Sequence, residues 1–221
     1  MGGPVPVDNR RRRARPGRSG GYPAVMSENG LTAARAKMRD AGVAQQAIDV
    51  FTHYYTQLEG GATGLIPEET IEPLTRIDSI DGAAIDEDAA REALDRTALI
   101  KLNGGLGTSM GMDRAKSLLP VRDGRTFLDL LVDQVMAARR RHGVRLPLIF
   151  MDSFRTRADT LAALAARPGI EVDGLPLDFL QNREPKLRAD DLSPVEWPAD
   201  PELEWCPPGH GDIYTALVAS G

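Results

Sequence analysis

The sequence predicts an α/β protein built on a doubly wound, Rossmann-like parallel sheet, incomplete within 221 residues and preceded by a helical segment. Three observations carry this. Short apolar runs alternate with helical patterns between residues 97 and 181, in the order strand–helix–strand–helix–strand. The strand runs are nearly continuous in apolar residues, as expected of strands covered on both faces. Polar and glycine-rich residues follow the strands at Asn103 to Gly107, at Asp152-Ser153 and at Gln181, and sheets of this kind bind ligands beyond the carboxyl ends of their strands.

The elements follow in chain order. Residues 28–58 are expected as one helix, because Ala33, Met38, Val43, Ala47, Val50, Phe51 and Leu58 recur near helical spacing. Gly60, Gly61 and Gly64 stop it, and Pro67 and Pro73 mark an extended connection. Residues 86–96 read as a short second helix, and residues 97–102 as a buried parallel strand running into glycines. Residues 126–142 form an amphipathic helix with Phe127, Leu130, Leu131, Val135 and Met136 on one face. Arg139, Arg140 and Arg141 sit in its last turn, where cations suit the dipole, and Gly143 ends it. Strands are expected at 146–151 and 177–181, with a crossover helix at 156–166 broken by Pro168-Gly169. The Pro-rich stretch from 185 to 208 is too long for a plain connection, which points to a functional segment. Residues 211–221 open another helix, and no internal repeat is visible.

Composition sets outer limits. Hydrophobic residues make up 42%, charged residues 27% and aromatics 5%, which excludes fibrous and wholly disordered chains. No run approaches the roughly 18 apolar residues of a membrane span. A single cysteine, Cys206, makes no intramolecular disulfide, no Cys/His cluster has zinc spacing and no signal peptide opens the chain, so a cytoplasmic protein is expected. The net charge of −5 is unevenly divided: residues 1–25 carry +5, from six arginines and Asp8, and the remainder carries −10. The basic segment is too polar to pack. It reads as a leader upstream of a start at Met26, with a targeting or binding tail as the alternative. The acidic body repels polyphosphate chains, so nucleic acid is not an expected partner.

The strongest chemical signal is Leu102-Asn103-Gly104-Gly105-Leu106-Gly107-Thr108-Ser109-Met110-Gly111, followed by Lys116-Ser117. Glycines after a strand let backbone N–H groups approach an anion, and a movable lysine suits a polyphosphate. Two nucleotide motifs compete. A P-loop requires a glycine before its lysine, which Gly111 to Ser117 lacks. Gly105, Gly107 and Gly111 give a variant of the dinucleotide fingerprint, but Asp113, Arg114 and Pro120 intervene before the next helix.

Four segments in order resemble the UTP–glucose-1-phosphate uridylyltransferase (UDP-glucose pyrophosphorylase) family. They are the glycine loop with Lys116; Leu148 to Thr156, with Asp152 where asparagine is usual; Phe179-Leu180-Gln181 followed by Pro185; and Trp205-Cys206-Pro207-Pro208-Gly209-His210-Gly211-Asp212. The similarity spans most of residues 28–221. It implies a nucleotidyltransferase-type fold and a Mg²⁺-dependent reaction of UTP with glucose 1-phosphate, giving UDP-glucose and pyrophosphate. Position by position, it implies that Leu102, Asn103, Gly104 and Gly105 lie along the nucleotide, Gly105 also facing the sugar phosphate. Lys116 would bind the phosphates as the catalytic cation. Gln181 would meet the uracil edge, Gly209 the base and His210 the sugar phosphate. The family's metal-binding aspartate and a second phosphate-binding lysine are expected beyond Gly221. The division implied is a leader at 1–25, a helical segment at 26–96 and the amino-terminal part of a catalytic domain at 97–221. A related hexose or N-acetylhexosamine 1-phosphate is an alternative substrate, although Asn103 and Leu106 to Met110 favour glucose. A dinucleotide-binding oxidoreductase domain and a non-catalytic nucleotide-binding module stay open as other classes.

Overall fold

The computed structural model describes residues 27–220; the basic segment at 1–25 lies outside the described residues. In chain order the elements are helices α1 (Ser27–Asp40), α2 (Gln45–Glu59) and α3 (Glu87–Asp95), then strand β1 (Leu99–Leu102). The hairpin β2 (Pro120–Arg122) and β3 (Arg125–Thr126) leads into α4 (Phe127–His142). Then come β4 (Leu148–Asp152), α5 (Arg157–Leu164), β5 (Asp178–Leu180), β6 (Glu184–Pro185), β7 (Trp205–Cys206) and α6 (Ile213–Ser220).

The sheet at the centre has three parallel strands in the order β1-β4-β5. Strand β4 lies between the other two and is buried along almost its whole length, which is why its sequence is continuously apolar. Strand β1 is only half-buried, against the expectation of a buried strand, because only β4 pairs with it among the described residues. Helix α4 starts on a reciprocal cap: the Thr126 hydroxyl accepts from Asp129 N–H while the Asp129 carboxylate accepts from Thr126 N–H. The Thr126 N–H and hydroxyl both donate to Asp129 Oδ2, which holds the Asp129 carboxyl below its usual pKa. The buried face of α4 is Leu128, Val132 and Val135, packed against Leu148 and Phe150 of β4, Leu164 of α5 and Ile170 as the main core. Of the face expected from the sequence only Val135 is fully buried; Leu130, Leu131 and Met136 lie at its margin and Phe127 is exposed.

The expected single helix over 28–58 is two. The chain breaks after Asp40 and turns at Gly42, whose φ of +72° is a conformation that side chains with a Cβ rarely adopt. The periodicity runs on across the break because α1 and α2 pack their apolar faces into the same second core, of Ala34, Met38, Ile48, Phe51 and Tyr55.

The Pro-rich stretch closes that core. Leu192 inserts among those side chains, the Tyr55 hydroxyl donates to Leu192 O at 3.0 Å, and Lys37 Nζ donates to Val195 O at 2.8 Å. Lys37 also pairs with Glu204, and Arg183 lies 4.6 Å from the Trp205 ring centroid. This segment, expected to be functional, is a strap that ties the first two helices to the sheet. Between α2 and α3 the chain is extended, and its apolar side chains, Leu65, Ile66 and Leu74 among them, face solvent.

Candidate functional site

A cleft of about 330 Å³ opens where the chain leaves β1 and β5. Leu102, Asn103, Gly104 and Gly105 form one part of its wall, Lys116 and Ser117 another, and Gln181, Pro207, Gly209 and His210 the rest, with Lys101 at the end of β1. The structure thus brings together all eight residues singled out in the sequence, from three regions of the chain.

The glycine loop positions itself by a short antiparallel ladder. Gly107 N–H donates to Arg114 O and Lys116 N–H donates to Gly105 O, each at 3.0 Å, and Leu106 bridges Ala115 between them. Ala115 is fully buried and pins the returning strand. The ladder lays the Lys116 side chain alongside Gly105, with its Cδ 3.9 Å from where a Cβ on Gly105 would stand. Lys116 is exposed to the cleft and has no carboxylate partner among the described residues.

Gln181 follows β5, and its backbone N–H donates to Asp152 O at 2.8 Å. Its side chain lies directly over Gly104: a Cβ there would come within 2.3 Å of Gln181 Oε1 and 2.8 Å of Cδ. Any larger residue at 104 would displace the amide. Gln181 is buried, and its Nε2 has no hydrogen-bond partner among the described residues. An orphaned buried amide at the wall of a cleft is suited to a ligand that presents matching donors and acceptors.

Asn103 lines the cleft and is also anchored from below. Its Nδ2 donates to Asp152 Oδ1 and to Thr160 Oγ1, both at 2.8 Å, inside the protein. The Asn103 amide nitrogen thus fixes the loop from beneath. Asp152 is fully buried, its Oδ2 lacks a partner, and burial raises its pKa. The Asn103–Asp152–Thr160 network joins the ends of β1 and β4 to α5 beneath the loop, and nothing in the spacing of the sequence announced it.

The last wall segment turns at Gly209, whose φ of +108° admits only glycine without strain. His210, the first residue of the turn that follows, is exposed. Asp212 accepts from Asn182 N–H at 2.7 Å and from Asn182 Nδ2 at 2.8 Å, clamping this segment to the residue after Gln181. Its carboxylate therefore holds two segments together, beyond the dipole contact that its place before a helix suggests. The cleft wall carries Lys101, Lys116 and His210 and no carboxylate, which favours an anionic ligand. Mg²⁺ takes oxygen ligands, usually one or two carboxylates with substrate phosphates, and none of the residues that line this cleft is a carboxylate, so the cleft wall itself does not fit a protein-held Mg²⁺. No helix among the described residues is long and apolar enough to cross a membrane.

Lys101 and Ser117 also line the cleft and were not singled out from the sequence. A lysine inside the apolar run 97–102 was a signal for the first, and its place directly after Lys116 in the loop motif was one for the second.

Behind the Pro208–Asp212 segment, Glu184 and Asp212 lie in the wall of a separate cavity of about 420 Å³. Burial, with the nearby Asp212 charge, pushes the Glu184 pKa up to about 7. The folded state therefore holds the Glu184 proton more tightly than the unfolded chain does. Stability that is full below the ordinary glutamate pKa is lost as pH rises toward 7. Glu184→Gln, which mimics the neutral acid, is expected to unfold at higher urea than the parent chain at pH 8 and at the same urea at pH 4. An equal difference at both pH values would contradict this.

Comparison with known proteins agrees with this geometry. Residues 48–221 match the family model described as UTP–glucose-1-phosphate uridylyltransferase. The barley (Hordeum vulgare) UTP–glucose-1-phosphate uridylyltransferase is 33% identical over 199 residues, covering 87% of this chain and 41% of the barley protein. The Saccharomyces cerevisiae protein of the same name is 43% identical over 131 residues, covering 58% of this chain and 26% of the yeast protein. Among solved structures, a mutant Leishmania major UDP-glucose pyrophosphorylase in complex with UDP-glucose superposes with a TM-score of 0.79 at 42% identity, covering 87% of this chain and 40% of that one. The Trypanosoma brucei UDP-glucose phosphorylase gives a TM-score of 0.78 at 40% identity, covering 87% of this chain and 41% of that one. The chain thus spans between about a quarter and two fifths of the length of these relatives.

Proposed function

Because the chain belongs to the UTP–glucose-1-phosphate uridylyltransferase family, we propose that it carries the uridine-binding part of an enzyme that makes UDP-glucose and pyrophosphate from UTP and glucose 1-phosphate in the cytoplasm. The 1-phosphate oxygen attacks the α-phosphorus of UTP in line, the bond to the bridging oxygen breaks, and pyrophosphate leaves. Such a transfer needs positioning and charge neutralisation more than covalent chemistry. The observation that carries the reading is the stacking of the unpartnered Gln181 amide over Gly104, in the same acid-free cleft as Lys116.

In this reading Gln181 reads the uracil edge, and the flat surface of Leu102, Gly104 and Gly105 takes the nucleotide. Gly209 lets the backbone approach the base. Lys116 neutralises charge that develops on the leaving pyrophosphate, and His210 meets the sugar phosphate. Mg²⁺, when bound, neutralises phosphate charge; its protein ligands are not among the residues of this cleft. Residues 97–221 are the amino-terminal part of the catalytic domain, residues 26–96 its helical accessory segment and residues 1–25 a leader.

Calorimetric titration with UTP, CTP and NADPH tests this. The chain is expected to bind UTP and to prefer it to CTP, and Gln181→Leu is expected to weaken UTP about tenfold, the worth of a buried amide hydrogen bond, and to erase that preference. Equal binding of UTP and CTP, or NADPH outcompeting UTP, would reject the uridine site.

A further inference from the structure

Two polar side chains in the cleft have bonding capacity that the protein leaves unused. Ser117 is 7% exposed, lies in the cleft wall next to Lys116, and its Oγ has no hydrogen-bond partner. A buried hydroxyl without a partner costs free energy, and a residue that could be alanine at no loss to the fold keeps it for some other reason. Lys101 is half-buried at the end of β1, and its Nζ donates to Leu102 O at 2.6 Å. An ammonium has three donors, and no carboxylate lies within ion-pair distance of this one among the described residues. Burial lowers the Lys101 pKa, and the charge of Asp152 opposes that shift. A partly desolvated cation with spare donors, in a wall that contains no acid, is a site for an anion.

We infer that Lys101 and Ser117, which flank the glycine loop on either side in the chain, are nucleotide-binding residues that donate to phosphate oxygens alongside Lys116. This rests on the uridine-site reading and adds to it a second cation and a hydroxyl on the phosphate side of the cleft. Ser117 is delivered there by the same ladder that places Lys116, since Ala115, two residues before it, is the buried anchor of that ladder.

The test measures UTP affinity by calorimetry and uridine affinity by ligand-observed NMR, for the full chain and for Ser117→Ala, Lys101→Met and Lys101→Arg. Each of the first two variants is expected to weaken UTP about tenfold, as for the loss of one charge-assisted hydrogen bond, and to leave uridine binding unchanged. Lys101→Arg is expected to recover most of the UTP affinity. Ser117→Ala is also expected to melt at or above the parent temperature, because it removes an unsatisfied buried hydroxyl. UTP affinity unchanged in both variants overturns the inference, as does a fall in uridine affinity that matches the fall for UTP, which marks a structural role. Failure of the parent chain to bind UTP overturns the uridine site itself, and with it this extension.

Discussion

Lys116→Ala is expected to weaken UTP binding about hundredfold while leaving the thermal midpoint of unfolding where it was. The side chain is exposed, lies along Gly105 and has no ion-pair partner among the described residues, so little stability depends on it. Its charge sits in a wall with no carboxylate, where a phosphate would be its natural partner. Hydrogen bonds between charged groups contribute about 1.5–3 kcal/mol each, and a lysine beside a triphosphate makes more than one contact in that range. Lys116→Arg keeps the charge but not the compact ammonium, so partial recovery is expected. Titration of UTP into the two variants and the parent, with melting curves alongside, is the measurement. Unaltered UTP affinity in Lys116→Ala would remove Lys116 from the phosphate site.

The largest expected effect on stability is at Phe150. It lies at the middle of β4, is fully buried, and is a member of the main core with Leu128, Val132, Leu164 and Ile170. Those neighbours come from β4's flanking helices and from the loop after α5, so the space left by truncation is enclosed from several directions and does not collapse easily. Phe150→Ala is expected to cost about 3–5 kcal/mol, a large share of what a domain of this size possesses. Urea unfolding followed by circular dichroism should show the midpoint fall with the slope unchanged. Tyr214→Ala, at a residue 78% exposed, is the control and should shift the midpoint little. A Phe150→Ala midpoint within error of the parent would mean that the main core is not where the structure puts it.

Much of the site was legible because its signals are local. The glycine loop is read from four glycines after a strand, Gln181 from its place after another strand, and Gly209-His210 from a compact motif. Each needs only its own neighbours to be recognised. Asn103 shows the limit of such reading: its place in the loop was right, but the destination of its side chain depends on Thr160 and Asp152, from two other elements. Lys101 and Ser117 were passed over for the same reason. A lysine in a strand and a serine after a lysine are ordinary until the fold shows that their donors face a cleft and nothing answers them.

The sequence by itself determined the order of the three sheet strands and the helices between them, the glycine stop of α4, the apolar character of β4 and the glycine and lysine chemistry after β1. These depend on periodicity, capping and backbone freedom, which act over a few residues. The tertiary structure alone decided that the helix expected at 28–58 is two helices folded on one core, that the Pro-rich stretch straps them through Leu192, and that Asp212 clamps the Gly209 segment beside Gln181. Those outcomes depend on contacts between residues more than a hundred positions apart in the strap, and some thirty apart at the clamp. Such contacts are fixed by which surfaces can be buried together and which polar groups must find partners when they are, and no local pattern encodes that.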